Sequence, residues 1–488
     1  MTRKLYSSII KGAVAVASAV ILTLSAHARD RSLPQLKITY NQNQLNYETY
    51  IPGTMELTDT DGSVTSLPAQ FKTRGATARK YVMKPSLNMK LRDSEGNELD
   101  TDLLGLRKAS SFILDAMAID RINMRNRVAF DIWNSFSRLP YETDFGSRNG
   151  TVGKYVEMTV NGEYKGIYCL SDKINRKLLD LKKPEVDGSG NVTIRGLLWK
   201  HGTNDIADQN TPGFFNDYTV WVAEYHDAWE LHEPEDYASE AAWAPLVEFY
   251  AGKNRSDYSY VKEHFWLENL ADYTIHVMAL AIQDNWGNKN KYFSIQNVTK
   301  EGDKSRFVIT PWDLDCALGG HYNGDYYDGN YTVWALKDIS KNAPSPIGVC
   351  LAQNDFKDLL KQRWLEGRAG AFAVDSVKQR LFDTCTLFEE SGAWQRTVDH
   401  WKDKGSSSEK YVEDLRKEVE LVALWYEDRF REMDAYFNVT QEDIEGAGIT
   451  DAPIEGAEDA IYTIHGIRVN EMKSPGIYIV GGKKVLVR

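Results

Sequence analysis

Apolar and polar residues alternate at two places near the start of the chain, in Gln35-Leu36-Lys37-Ile38-Thr39-Tyr40 and in Pro85-Ser86-Leu87-Asn88-Met89-Lys90-Leu91. That is the period of a strand with one buried face, and it predicts a β-rich region over 33–110. Gly53, Asp61-Gly62 and Gly96-Asn97 punctuate it as turns. From Asp120 the period changes: Ile122, Ala129, Ile132, Trp133 and Phe136 mark one face of a helix that ends near Leu139-Pro140. A hairpin follows, with Val156, Met158 and Val160 alternating, Asn161-Gly162 suited to a type I′ turn, and Tyr164 to Leu170 returning.

Residues 185–255 are polar and aromatic without a clear period. A second helix is expected over about Phe265 to Gln283, with Leu267, Leu270, Tyr273, Thr274, Val277 and Leu280 on one side. Two short strands, Tyr292–Ile295 and Arg306–Thr310, come next. Residues 353–437 read as helical, including Tyr411 to Phe437 with Leu415, Val419, Val422, Tyr426 and Phe430 inward. The acidic, Gly- and Ala-containing stretch 441–460 reads as a linker, and 461–488 as a small tail of two or three strands.

At the N-terminus Arg3 and Lys4 precede an apolar run from Gly12 to Leu24, and Ala26-His27-Ala28 follows. This is the layout of a cleaved signal peptide, so residues 1–28 are expected to be removed and the mature chain to act in the periplasm, at the cell surface or outside the cell. The run falls short of the ~20 residues that span a bilayer, and no later stretch is long and apolar enough to do so. With 488 residues and a net charge of −12, the chain can bury a sizeable core and has no diffuse basic surface for nucleic acid. Cys169, Cys316, Cys350 and Cys385 are not spaced as a zinc knuckle. Either a Cys350–Cys385 bond or buried free thiols is compatible with an exported protein.

The chemistry concentrates in residues 265–320. The second helix delivers Asp284 at its end, a loop leads to Asn290, and a strand pair leads to Trp312-Asp313-Leu314-Asp315. In extended backbone Asp313 and Asp315 would share one face, with Trp312 and Leu314 on the other. Two carboxylates and an amide form an all-oxygen set of the kind that hard Mg²⁺ or Mn²⁺ prefers, usually shared with phosphate. Gly319-Gly320 would allow close approach. The order of helix, acid, amide, hairpin and acid is that of protein kinases, although Asp284 to Asn290 is one residue longer than the kinase interval.

Asp284-Asn285, Lys289-Asn290 and Tyr292, then Ile309-Thr310-Pro311-Trp312-Asp313-Leu314-Asp315 and Leu318-Gly319, resemble the signature of the spore-coat CotH kinase-like family. Arg74-Gly75-Ala76-Thr77 with Lys84 resembles its Arg-Gly-Asn-Ser segment and following lysine. Leu103-Leu104-Gly105-Leu106, Met124-Arg125-Asn126 and the hairpin from Tyr155 to Tyr168 match further blocks in order. The match covers about residues 35–435 and is weakest over 185–255. The resemblance implies an α+β fold, an atypical protein-kinase-like domain over 29–440 with a helical C-terminal portion. It also implies phosphate transfer from Mg²⁺-ATP (or Mn²⁺-ATP) to Ser or Thr of an exported or surface protein. Carried over by position, Asp284 is the catalytic-loop acid, and Asn290 and Asp313, with Asp315 beside them, are metal ligands. Arg74 or Lys84 meets the phosphates. Asp172, where an acid (often Glu) is common, joins the nucleotide-contacting residues. Ala76 departs from the family's Asn, which bears on nucleotide affinity.

Two other readings stay open. One is a catalytically silent, structural or adhesive surface protein on the same fold, favoured by the scarcity of ATP outside cells. The other is a glycoside hydrolase with two carboxylates and aromatic subsites, for which Trp221, Tyr225, Trp229, Trp243 and Tyr250 would be the platform if they do not pack internally. His201 and His226 read as surface or core residues. Arg125 and Arg127 read as a solvated or salt-bridged helix face, with anion binding as the alternative. The tail around Ile461–Val480 is similar to tails of secreted Bacteroidetes proteins, some of which direct sorting to the cell surface.

Overall fold

The computed structural model describes residues 32–75, 82–141, 143, 146–201, 225–226, 229–251, 256–282, 285, 290–321, 346–405 and 410–446. In the tail it describes 461–463, 468–469, 476–480 and 483–487. The leader and its cleavage site lie outside these residues.

The first region is a closed barrel. Strands β1 (Gln35–Tyr40), β2 (Ile51–Thr58), β3 (Val64–Thr73), β4 (Leu87–Leu91), β5 (Ser111–Asp115), β6 (Gly153–Val160) and β7 (Glu163–Asp172) run β1-β2-β3-β4-β5-β7-β6 around it. Every pairing is antiparallel except the closing one, where β1 lies parallel to β6 with Leu36 opposite Met158. The predicted alternation builds the interior: Leu36, Ile38, Leu87, Met89, Leu91, Val156, Met158 and Leu170 are all buried in one core. Asn161 and Gly162 take φ of 50° and 84°, the left-handed pair that a type I′ turn needs. Between β5 and β6 the chain leaves the barrel as helix α1 (Arg125–Phe136).

The second region packs helices on a five-stranded antiparallel sheet. After a small β8–β9 hairpin (Glu185–Val186 and Val192–Thr193) come β10 (Leu197–His201), β11 (Tyr225–His226), β12 (Trp229–Glu233), β13 (Lys291–Ile295) and β14 (Val308–Pro311). Their order is β11-β12-β10-β13-β14. Helices α2 (Glu240–Ala251), α3 (Tyr258–His264) and α4 (Leu267–Leu280) lie between β12 and β13 in the chain. The C-terminal portion adds α5 (Pro346–Leu351), α6 (Asn354–Arg368), α7 (Val374–Glu390), α8 (Ala393–Trp401), α9 (Leu415–Tyr436) and α10 (Gln441–Gly446). The tail forms a four-stranded sheet rather than two or three strands: β15 (Ile461–Thr463), β16 (Arg468–Val469), β17 (Gly476–Val480) and β18 (Lys483–Val487).

The fold is α+β, as the patterning implies, but it contains a barrel that no local pattern announces. Helix α8 docks the helical portion on the barrel. Thr397 accepts the Ile167 N–H at 3.1 Å, Trp401 donates to the Lys165 carbonyl at 2.9 Å, and Arg396 grips Glu157 with two hydrogen bonds. Gly166 sits under this contact, where a Cβ would come within 2.9 Å of Thr397. No helix among the described residues is long and apolar enough to cross a membrane.

Several expectations change. Of the two readings for Arg125 and Arg127 the salt-bridged one holds, but on a buried face: Arg125 pairs with buried Asp120, and Arg127 pairs with Asp131 at 2.9 Å and donates to the Thr151 carbonyl. Asp120 also accepts the N–H groups of Met124 and Arg125, each at 2.7 Å, and so caps α1. The Cys350–Cys385 bond is not formed. All four cysteines are buried thiols, and burial pushes Cys350 and Cys385 up to about 12. The stretch 441–460 does not begin as a free linker, because α10 is tied to α6 by an Asp443–Lys361 ion pair of 2.9 Å.

Candidate functional site

Helix α4 is the element on which the site is built. One apolar side was expected, but every residue from Asn269 to Leu280 is buried. Its polar residues are tolerated because each has a partner. Asn269 exchanges two hydrogen bonds with the Ile309 backbone, standing in for a further strand beside β14. Asp272 takes the Arg363 guanidinium at 2.7 Å, and His276 meets the Ala129 carbonyl at 2.9 Å. Burial holds His276 neutral, down to about 4. The helix ends at Ala281, in the left-handed region with φ of 48°.

Three segments meet beyond that end. The Leu318 N–H donates to the Leu280 carbonyl at 2.8 Å, which fastens the turn after Asp313 to the tip of α4. The Trp312 N–H donates to the Asn290 carbonyl at 3.0 Å. Asn285, buried, gives its amide to the carbonyls of both Asn290 and Trp312, at 2.9 and 2.8 Å. Tyr273 on α4 donates in turn to the Asn285 carbonyl at 2.9 Å. On the other side, Asn126 of α1 accepts the Leu314 N–H and donates to Asp115 at the end of β5. The segments bearing Asn290 and Asp313 are therefore stapled to each other and to the end of α4. Asp284 itself lies outside the described residues, two positions after Ile282.

Asn290 and Asp313 both have left-handed backbone, with φ of 54° and 60°. Asn tolerates this region and Asp does so less readily, and such strain survives only where surrounding bonds enforce it. It also corrects the expected strand geometry. β14 ends at Pro311, and the chain turns through Leu314–Ala317, where the Ala317 N–H closes on the Leu314 carbonyl at 3.1 Å. Asp313 and Asp315 are thus placed by a turn and not by strand alternation. Leu314 is buried beneath them, Asp313 is exposed and Asp315 half-buried.

The remaining candidates separate. Arg74 lies over the Trp312 ring, 4.8 Å from its centroid, and faces the site. Lys84 is fully buried, its ammonium donating to the carbonyls of Ala116 and Ile167 and to Asn123. That side chain is committed to the barrel, so of the two basic candidates Arg74 is the one placed to meet a ligand. Asp172 is buried as well. It accepts the Val152 N–H at 2.8 Å and stands 4.0 Å from Arg107, and burial raises its affinity for a proton. Missed by sequence reading is Lys200 of β10, whose ammonium lies 5.8 Å from the same Trp312 ring. It sits in the stretch without a period, where nothing marked it.

Among the described residues no group of three or more His, Cys, Asp or Glu side chains is gathered as a metal site. The oxygen set of Asn290, Asp313 and Asp315 suits a hard divalent cation whose remaining ligands come from phosphate and water. Trp229 and Trp243 are fully buried and His201 lies against Trp229, so these residues are core rather than a sugar platform. Trp221 and the side chains of Tyr225, His226 and Tyr250 lie outside the description.

A scan against protein-family models matches the chain over residues 71–433 to the family described as CotH kinase protein. The chain belongs to this family. The matched span runs from β3 through most of α9 and so includes both the barrel wall bearing Arg74 and the stapled segment bearing Asn290 and Asp313. No curated protein matches the chain.

Proposed function

We propose that this CotH-family protein is an exported phosphotransferase that moves the terminal phosphate of ATP to a Ser or Thr of another exported or surface protein, on an atypical kinase-like fold. The observation that carries this reading is the hydrogen-bonded union of the Asn290 and Asp313 segments at the end of the helix that leads to Asp284. A scaffold has no need to hold two oxygen ligands in left-handed backbone at a helix tip.

Asn290, Asp313 and Asp315 would hold Mg²⁺ or Mn²⁺, which when bound offsets the charge of the phosphates. Arg74 steadies the phosphate chain from the Trp312 side. Asp284 orients the acceptor hydroxyl and takes its proton, while the buried Asn285 amide ties Asn290 to Trp312, so that the segments bearing Asn290 and Asp313 are held together before a ligand arrives.

Transfer of labelled phosphate from ATP to the protein itself or to a generic Ser/Thr protein tests the reading. Asp284→Ala should keep ATP binding and lose most transfer, because a group acting on the acceptor contributes to rate rather than to nucleotide affinity. Wild-type transfer undiminished by Asp284→Ala would overturn the assignment.

A further inference from the structure

Asp313 stands between two peptide planes, and each is held by the side-chain amide of a different asparagine. The carbonyl before it, that of Trp312, accepts from Asn285 at 2.8 Å. The N–H after it, that of Leu314, donates to Asn126 Oδ1 at 3.1 Å. Between them Asp313 has φ of 60°, a conformation that costs energy for a residue with a Cβ and lasts only where its surroundings fix it. Asn285 belongs to the loop after α4. Asn126 sits in the first turn of α1 and reaches back to the barrel.

The second hold has a polarity that leaves one arrangement. Asn126 Nδ2 donates to Asp115 Oδ2, at the end of β5, over 2.7 Å. A carboxylate accepts and a peptide N–H donates. An amide turned the other way would set its NH₂ against the Leu314 N–H and its oxygen against the carboxylate. Asp115 therefore decides which way Asn126 faces. Asp115 is itself fixed: its other oxygen takes the Met117 N–H at 3.0 Å and the Ser86 hydroxyl at 3.3 Å, and Ser86 Oγ accepts the Ala116 N–H at 2.9 Å. Asp115 and Asn126 are both half-buried, where a hydrogen bond to a carboxylate is stronger than in open water. The chain of contacts runs from the end of β5, through one amide, to the peptide plane that sets the direction of Asp313.

We infer that Asn126 is a positioning residue for Asp313 and that Asp115 is the barrel residue that orients it, so the cation affinity of the turn is set from the barrel as well as from α4. The purpose of the hold, a metal carried by Asp313, rests on the phosphotransferase reading; the hold itself does not. Neither residue touches nucleotide or metal in this assignment. Asn126→Ala loses both contacts. Asn126→Asp keeps an acceptor for Leu314 but sets a second carboxylate against Asp115. Combining Asp115→Asn with Asn126→Asp puts a donor opposite an acceptor at both contacts again, with the net charge unchanged.

Calorimetric titration of ATP at increasing Mn²⁺ tests it, on wild type, Asn126→Ala, Asn126→Asp, Asp115→Asn and the combined variant. Asn126→Ala and Asn126→Asp should each need about 10–100-fold more Mn²⁺ for half-maximal ATP binding, the usual cost of losing a partner that orients a metal ligand. Asp115→Asn should shift the requirement the same way, and the combined variant should behave more like wild type than either of its single changes. A residue that serves packing alone would move the melting temperature and leave the Mn²⁺ requirement and this reversal untouched. Amide exchange across residues 312–318 without any ligand is the second readout. It should be faster than wild type in both Asn126 variants and slower again in the combined one. An unchanged Mn²⁺ requirement in both Asn126 variants, or a combined variant no better than its single changes, overturns the inference. If wild type binds no ATP with Mn²⁺, the phosphotransferase reading falls and exchange decides the rest: recovery in the combined variant supports the hold on Asp313, and equal exchange in all variants overturns it. If Asn126→Ala does not fold, Asn126→Asp against the combined variant gives the same decision.

Discussion

In the barrel, left-handed backbone at the hairpin turns falls on Gly62, Gly96 and the Asn161–Gly162 pair, whereas between the end of α4 and Gly320 it falls on Ala281, Asn290, Asp313 and Leu318 as well as on Gly302 and Gly319. The barrel turns use residues that adopt this geometry at little cost. The second region places alanine, leucine and an acid there, at about 1–2 kcal/mol each. It can do so because its backbone is fastened from several sides, by Leu280, Asn285 and Asn126. A barrel turn has only to reverse the chain, while the loop ends at α4 have to present particular side chains at particular places. On the proposed function, this is the difference between a scaffold and a site held ready before its ligand arrives.

The largest effect should come where the two regions join. Asp120 caps α1 and balances Arg125, and Gly320 packs on the Arg125 side chain, where a Cβ would stand 3.0 Å from its Cδ. Asp120→Ala should cost about 3–5 kcal/mol in urea unfolding, the price of breaking a buried charge pair by removing one partner. A loss below 1 kcal/mol would mean that α1 does not lock the site to the barrel.

Next is a pH effect seated in α4. His276 titrates near 4 when folded against an ordinary value of 6.5. Because the unfolded chain binds the proton more readily, the neutral ring's contribution is complete above about pH 6.5 and is lost as pH falls toward 4. The total is on the order of 3 kcal/mol. Melting of His276→Gln against pH should therefore show a flatter acid limb than wild type, and equal slopes would contradict a buried neutral ring.

The smallest effect compares the strained positions directly. Gly162→Ala should lower stability by about 1 kcal/mol, because nothing crowds a Cβ there and only the left-handed φ opposes it. Ala281→Gly should leave stability unchanged or raise it by up to about 1 kcal/mol, the relief of strain offsetting glycine's entropy. A larger loss for Ala281→Gly than for Gly162→Ala would remove the contrast on which the comparison rests.

What could be read from sequence follows the same division. β1, β4 and the β6–β7 hairpin were legible because period-2 alternation is local and Asn161-Gly162 is a local turn signal. Closure of the barrel was not, since β1 meets β6 across more than a hundred residues and neither strand advertises its neighbour. Helix α4 looked one-sided because Asn269, Asp272 and His276 are polar. Their burial depends on Ile309, Arg363 and Ala129, which sequence does not place beside them. Arg125 and Arg127 read as a solvated or salt-bridged face, and their burial was hidden for the same reason. The order Asp284, Asn290, Asp313 was legible as a motif, but its geometry was not: strand alternation was expected at Asp313 and Asp315, and a left-handed residue and a turn are found. Lys200 stayed hidden because its meaning lies in what surrounds it.

The central claim is that the stapled segment holds a metal–nucleotide complex, and calorimetry of ATP with Mg²⁺ or Mn²⁺ on wild type and on Asp313→Ala tests it most directly. The account predicts metal-dependent ATP binding by wild type and its loss in Asp313→Ala, with both proteins melting within a few degrees of each other because Asp313 is exposed. Wild type that binds no nucleotide with either metal, or Asp313→Ala that binds it as tightly as wild type, would contradict it.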